Sequence, residues 1–212
     1  VSNGINSVFF AATSALWGRE VWFTSGTLTG LVADAAPGTS SSNPTSLITS
    51  LENSGVFFQI ESDGSHRDLY YAYPGLLRKY DSWVENSLMH TVVSAQEIAY
   101  TKPESSFWQA KLADGTNNTA TSIGPLFDAV GRIWASNYNT APLAKNSFNL
   151  IGTTNSNRQQ VYTRNSGTLS PAPIPNAPSS GSANPHNFFP ADNGNSQLFA
   201  ANTSNSRGAL FR

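Results

Sequence analysis

The run Asp63-Gly64-Ser65-His66-Arg67-Asp68 gathers a hydroxyl, an imidazole and two carboxylates within six residues. Groups of these types can do nucleophilic or general-base chemistry, but a Ser-His-Asp triad needs its members on separate elements, with the nucleophile on a strained turn. Here they share one hairpin tip. That arrangement favours a solvated polar turn, or a loop touching a ligand through His66 and Arg67, over a catalytic centre. The remaining histidines, His90 and His186, stand alone, and neither HxH nor HExxH spacing occurs. A metal could be held only by convergence in space, so no metal or other cofactor is expected. A glycosidase would need two facing carboxyls. Glu61, Glu97 and Glu104 lie on or beside expected strands, yet no neighbour pattern marks one as an acid of raised pKa. With no GxGxxG, Walker or GxSxG arrangement either, the sequence points to a non-enzyme.

A different chemistry is amply supplied. Sugar rings are held by an aromatic face against their C–H surface and by amide, carboxylate or guanidinium hydrogen bonds to their hydroxyls. The chain has five Trp, seven Tyr and twelve Phe, while only 12% of its residues are charged. Two clusters place the right types close together: Trp108 with Asp114, Asn117 and Asn118, and Trp134 with Asn137, Tyr138 and Asn139. Each competes with a plainer reading, because tryptophans in an all-β protein are mostly core, and exposed Trp and Tyr also anchor protein contacts.

The elements that must position these residues read as short β runs bounded by Gly, Pro, Asn and Ser. Strands are expected at 7–12, 20–33, 55–61, 68–73, 91–101, 106–112, 131–137, 148–153, 159–164 and 197–201. The clearest hairpin joins two aromatic strands through Ser62-Asp63-Gly64-Ser65. Asn43 as cap and Pro44 at the first position suggest a short helix over 44–52, and a second is expected near 125–130. Residues 76–89 are ambiguous and read as loop plus strand. The fold class is therefore all-β, an antiparallel sandwich or barrel-like single domain with long polar loops and at most one or two short helices. No repeat of 20–50 residues is visible, which argues against solenoids and propellers.

Twelve Lys+Arg against thirteen Asp+Glu leave a net charge of −1, so there is no field to gather nucleic acid or anionic lipid. The absence of cysteine removes disulfides, thiolate catalysis and Cys-based metal sites. No run of about eighteen apolar residues occurs, and no membrane insertion is expected. Sequons at Asn117 and Asn202 are no more than so many Asn, Ser and Thr produce by chance. Val1 and Arg212 suit either a processed fragment or chosen ends.

Residues 170–190 hold six of the twelve prolines. Such composition suggests an extended polyproline-type arm, lying on its own domain or on a second subunit and anchored by Phe188 and Phe189. The expected organisation is thus a β domain at 1–169, an arm at 170–190, and a C-terminal strand and tail at 191–212 packing back on the β domain.

Tyr80-Asp81-Ser82-Trp83-Val84 is similar to a string near the C-terminus of calicivirus capsid proteins. Ser105-Ser106-Phe107-Trp108-Gln109-Ala110 is similar to one in the hepatitis E virus protruding domain. With these strings the whole set of traits resembles the protruding or spike domain of a non-enveloped virus capsid. The resemblance implies a homodimeric β domain on the virion surface that attaches to a host receptor, often a glycan, and is bound by antibodies. A secreted microbial lectin or carbohydrate-binding module shares nearly every compositional trait; a β-sandwich glycoside hydrolase is the third alternative.

Overall fold

Alternating apolar residues and Gly-containing turns build an antiparallel, all-β chain. The computed structural model describes residues 7–49, 55–61, 66–83, 90–92, 97–114, 119–135, 147–154, 158–165, 168–172, 174, 183–191, 196–204 and 208–211. Among them lie five sheets, each made of strands consecutive in sequence. The first holds β1 (Val8–Ser14), β2 (Gly18–Thr24) and β3 (Thr29–Ala33); the second β4 (Thr45–Thr49), β5 (Val56–Glu61), β6 (Arg67–Tyr73) and β7 (Leu76–Trp83). The third holds β8 (His90–Val92), β9 (Glu97–Glu104), β10 (Phe107–Asp114) and β11 (Ala120–Phe127). The fourth holds β12 (Ala129–Ala135), β13 (Ser147–Thr154), β14 (Arg158–Asn165) and β15 (Leu169–Pro171), and the last β16 (His186–Ala191), β17 (Ser196–Ala201) and β18 (Ala209–Phe211).

The three middle sheets are four-stranded meanders that recur about every 40 residues, a spacing typical of repeat architectures. This corrects the expectation of no repeat. A meander demands only period-2 burial and turn residues, so the recurrence lives in strand order while the side chains differ.

Where the two expected helices fall on described residues they are strand, 45–49 in β4 and 125–127 and 129–130 in β11 and β12. Asn43 adopts a positive φ of 49°, and its N–H donates to the Arg19 carbonyl at 3.3 Å. The chain thus enters β4, where Ile48 faces Phe57 of β5 and Leu47 packs on the core. Around 125–130, Pro125 lies on β11, at the edge of its sheet, where a missing N–H is tolerated. Phe127 is fully buried, and the bend at Asp128 is fixed by its N–H to the Thr153 carbonyl at 2.7 Å.

Two long expected strands are each divided. Residues 20–33 turn at Ser25-Gly26, where Gly26 takes φ 85° and Ser25 N–H donates to the Leu28 carbonyl. Residues 91–101 contribute to both β8 and β9. The ambiguous stretch from 76 opens as strand β7, whose Tyr73↔Leu76 pairing closes a tight turn on Pro74-Gly75.

The chain forms two compact units. Unit 1 comprises Val1–Ser87, Ser94–Ile98 and Ala113–Ala120; unit 2 comprises Leu88–Val93, Ala99–Leu112 and Thr121–Arg212. The core of unit 1 joins its first two sheets through Phe9, Val21 and Val32 against Val56, Phe58, Ile60 and Ala72. That of unit 2 centres on Phe127, Leu150, Tyr162 and Leu169, with the Phe127 and Tyr162 rings edge to face at 4.8 Å.

The described parts of the Pro-rich segment are built into unit 2. Ser170 and Pro171 pair with Thr163 and Tyr162, Ala172 N–H donates to the Val161 carbonyl, and Ala172 and Ile174 pack on Ile151 and Val161. At the other end Ala183 is buried, and Phe188 and Phe189 belong to β16, with Phe189 opposite Leu198. These contacts lie at the two ends of the segment; residues 173 and 175–182 lie outside the described residues.

Candidate functional site

One end of unit 1 concentrates groups suited to recognition. Ser14 ends β1 and Gly18 opens β2, and the tight connection throws Leu16 and Trp17 outward, 71% and 38% exposed. The turn is closed by the Trp17 backbone N–H donating to Ser14 Oγ at 3.0 Å. The next residue fixes what lies beside it. Gly18 has φ 60°, and a Cβ there would fall 2.1 Å from the Ser40 carbonyl oxygen and 2.8 Å from that of Thr39. Only glycine lets the backbone of residues 39–40 cross at this distance.

That crossing loop, between β3 and β4, is firmly held. Arg19 N–H donates to Ser41 Oγ at 2.9 Å, and Arg19 Nη1 reaches the Pro44 carbonyl at 3.4 Å. Beneath it Glu20, fully buried, accepts from Ser42 N–H at 2.9 Å, from Ser42 Oγ at 2.6 Å and from Ala35 N–H at 3.2 Å. A buried carboxylate is tolerated only when so satisfied. Its consequence is a rigid polar loop of Thr39, Ser40 and Ser41 beside an exposed aromatic ring. Asp34 ties the loop's start through Gly38 N–H, while its Oδ1 is buried with no hydrogen-bond partner among the described residues.

The same end continues onto the second sheet. Thr45, directly after Pro44, pairs with Gln59 of β5. Gln59 Oε1 accepts from Arg67 Nη1 at 3.3 Å, and His66 precedes Arg67, half-buried. Arg19, Pro44, Thr45, Gln59 and Arg67 are thus linked by consecutive contacts from the first sheet of unit 1 to the second.

No family model and no curated protein matches this chain. Among solved structures it is similar to TolB from Acinetobacter baumannii, with a TM-score of 0.48 and 10% identity over 98% of this chain. It spans about half of that protein, 54% of its length. It is also similar to the Aleuria aurantia lectin, described as a six-bladed β-propeller with a novel fucose recognition mode, with a TM-score of 0.40 and 12% identity over 97% of this chain and 76% of the lectin. A mutant of that lectin in complex with α-methyl-L-fucoside gives a TM-score of 0.39 over the same 97% and 76%.

The residues singled out from sequence fall in several places. Trp108 and Asp114 lie at the two ends of β10, six residues apart, or about 20 Å along a strand. Trp108 packs on the core of unit 2 beside Ala110 and Leu112. Asp114 belongs to unit 1, where its carbonyl accepts the Tyr80 hydroxyl at 2.6 Å. Burial pushes the Tyr80 phenol up to about 12, a hydrogen bond from Arg78 opposing it. Trp134 belongs to β12 opposite Asn149, its side chain outside the described set, and Asn117, Asn118, Asn137 and Tyr138 lie outside the described residues altogether. The capsid-like strings have local structural roles: Tyr80–Trp83 completes β7, and Ser105–Ala110 forms the β9–β10 turn, Ser105 taking φ 58°, and the start of β10.

Trp17 went unnoticed in the sequence. Expected strands at 7–12 and 20–33 already leave it between two β runs, and a tryptophan in a turn has little core to enter.

Among the described residues no three His, Asp or Glu side chains converge as metal ligands. Asp68, nearly buried, is bound by Lys79 Nζ at 2.8 Å and Ser82 Oγ at 2.5 Å, a cross-strand lock on the second sheet. Its hydrogen bond holds the Lys79 ammonium above its ordinary pKa.

Proposed function

We propose that this protein is a non-enzymatic recognition module that binds glycans through the end of unit 1 bearing Trp17. The observation that carries the reading is an exposed indole set beside a hydroxyl-bearing loop that Gly18 and Glu20 hold rigid. A saccharide needs both parts at once, an apolar ring face and hydrogen-bonding groups at fixed positions. A preformed site avoids part of the ordering cost that binding otherwise carries.

A glycan array probed with the intact protein and with Trp17→Ala tests the reading. A defined subset of glycans should be retained by the wild type, and the substitution should weaken that binding at least tenfold while the protein stays folded. Failure to retain any glycan, or retention unchanged in the variant, would contradict it.

A further inference from the structure

β9 and β10 are hydrogen-bonded neighbours joined by only two residues, Ser105 and Ser106. Ser105 takes a positive φ of 58° and Ser106 does not, which is the pattern of a two-residue type II′ hairpin. Such a turn makes Glu104 and Phe107 the pair that closes it, with Cβ atoms about 5 Å apart on one face of the hairpin. Both reach solvent: Phe107 is 36% exposed and the Glu104 side chain 45%. The pair belongs to unit 2.

The carboxylate is positioned by the same hairpin. Lys102 Nζ lies 3.8 Å and Lys111 Nζ 3.6 Å from Glu104 Oε1, and these lysine side chains are only 16% and 14% exposed, so both charges stand on packed stems. Both cations address one oxygen. The other, Oε2, has no partner among the described residues, and the exposed side chain keeps it as an acceptor. Further along, the same face is closed: Gln109, two residues beyond Phe107, is buried, and its Nε2 donates to the Ala110 and Gly124 carbonyls, each at 3.2 Å. Trp108, between them, packs on the core of unit 2 from the opposite face and takes no part. The opening is thus confined to the hairpin end, where an exposed ring and a held carboxylate stand side by side.

We propose that the β9–β10 hairpin is a second saccharide site, which takes a neutral sugar with its apolar face on Phe107 and its hydroxyls donating to Glu104. An ionised carboxylate can only accept, so it selects a ligand rich in donors. An acidic substituent would meet a like charge whose lysine partners are already engaged. Phenylalanine offers a smaller face than the Trp17 indole, which makes this the weaker of the two sites. Its ligand class rests on the glycan reading above, while its residues are independent of Trp17.

An array of neutral hexosides, 6-deoxyhexosides and N-acetylhexosaminides, with sialylated and uronic counterparts, tests it when probed with the Trp17→Ala protein. That variant should still retain a subset of the neutral glycans, and adding Phe107→Ala should weaken their retention at least tenfold. Glu104→Gln in the same background keeps the volume but not the charge, and should weaken it severalfold. Both positions are exposed, so the denaturant midpoint should hold in each variant. Loss of all retention in Trp17→Ala, retention untouched by Phe107→Ala or by Glu104→Gln, or residual binding confined to acidic glycans overturns the second site without touching the glycan reading. Retention of no glycan by the wild type removes both.

Discussion

Trp17 and Trp108 are the same side chain placed under opposite constraints. Trp108 lies near the start of β10 on the same face as Ala110 and Leu112, and it packs with them on the core of unit 2. Trp17 sits in a turn closed by Ser14 Oγ, and no strand periodicity directs it inward. The first ring is held by packing and stabilises the fold. The second sits in a turn whose backbone is fixed, and it is 38% exposed. Proximity of Trp to Asn and Asp in sequence does not separate these cases; the position of the ring relative to the strand does.

Substitutions can sharpen or break this contrast. The largest effect is expected from Glu20→Ala, which leaves Ser42 N–H, Ser42 Oγ and Ala35 N–H without their buried acceptor. It should destabilise the protein by about 4 kcal/mol, read as a lower denaturant midpoint at constant slope, and should abolish glycan retention by releasing the loop beside Trp17. If the loop keeps its place without the carboxylate, the rigid half of the contrast is lost. Trp108→Ala should cost about 3 kcal/mol through the cavity it opens, yet leave binding by the folded protein unchanged. A large loss of affinity there would return Trp108 to the ligand site.

Tyr80→Phe probes the packing between these extremes. Because burial raises its pKa from 10.0 to about 12, the folded phenol keeps its proton over a range in which the unfolded one ionises. The folded state then binds more protons, and stability falls as pH rises through that window. The variant should flatten the fall in Tm between pH 10 and 11.5, while losing about 1 kcal/mol at neutral pH with the bond to Asp114. Smallest of all, Trp17→Ala should change stability by less than about 0.5 kcal/mol, despite its effect on binding.

Much of the all-β architecture was legible, because its determinants are local. β5 and β6 pair antiparallel, as their aromatic runs indicate, while the expected turn at 62–65 lies outside the described residues. Missing were features decided at a distance. Asn43 and Pro44 carry the local marks of a helix start, but Asn43 gives its N–H to Arg19, twenty-four residues away, and the chain becomes β4. Ser25-Gly26 is a turn inside a run that otherwise reads as one strand. At the start of the Pro-rich segment Ser170 and Pro171 find partners on β14, a pairing that composition alone does not announce. The region around Trp17 was hidden for the same reason, since it depends on the Gly18 contact with residues 39–40, which no local pattern announces.

The most direct test is fluorine NMR of protein carrying 5-fluorotryptophan at its five tryptophans, titrated with the most strongly retained glycan. With resonances assigned by single Trp→Phe substitutions, the Trp17 signal should shift in a saturable way while that of Trp108 stays in place. A saturable shift of Trp108 with Trp17 unmoved would contradict the account.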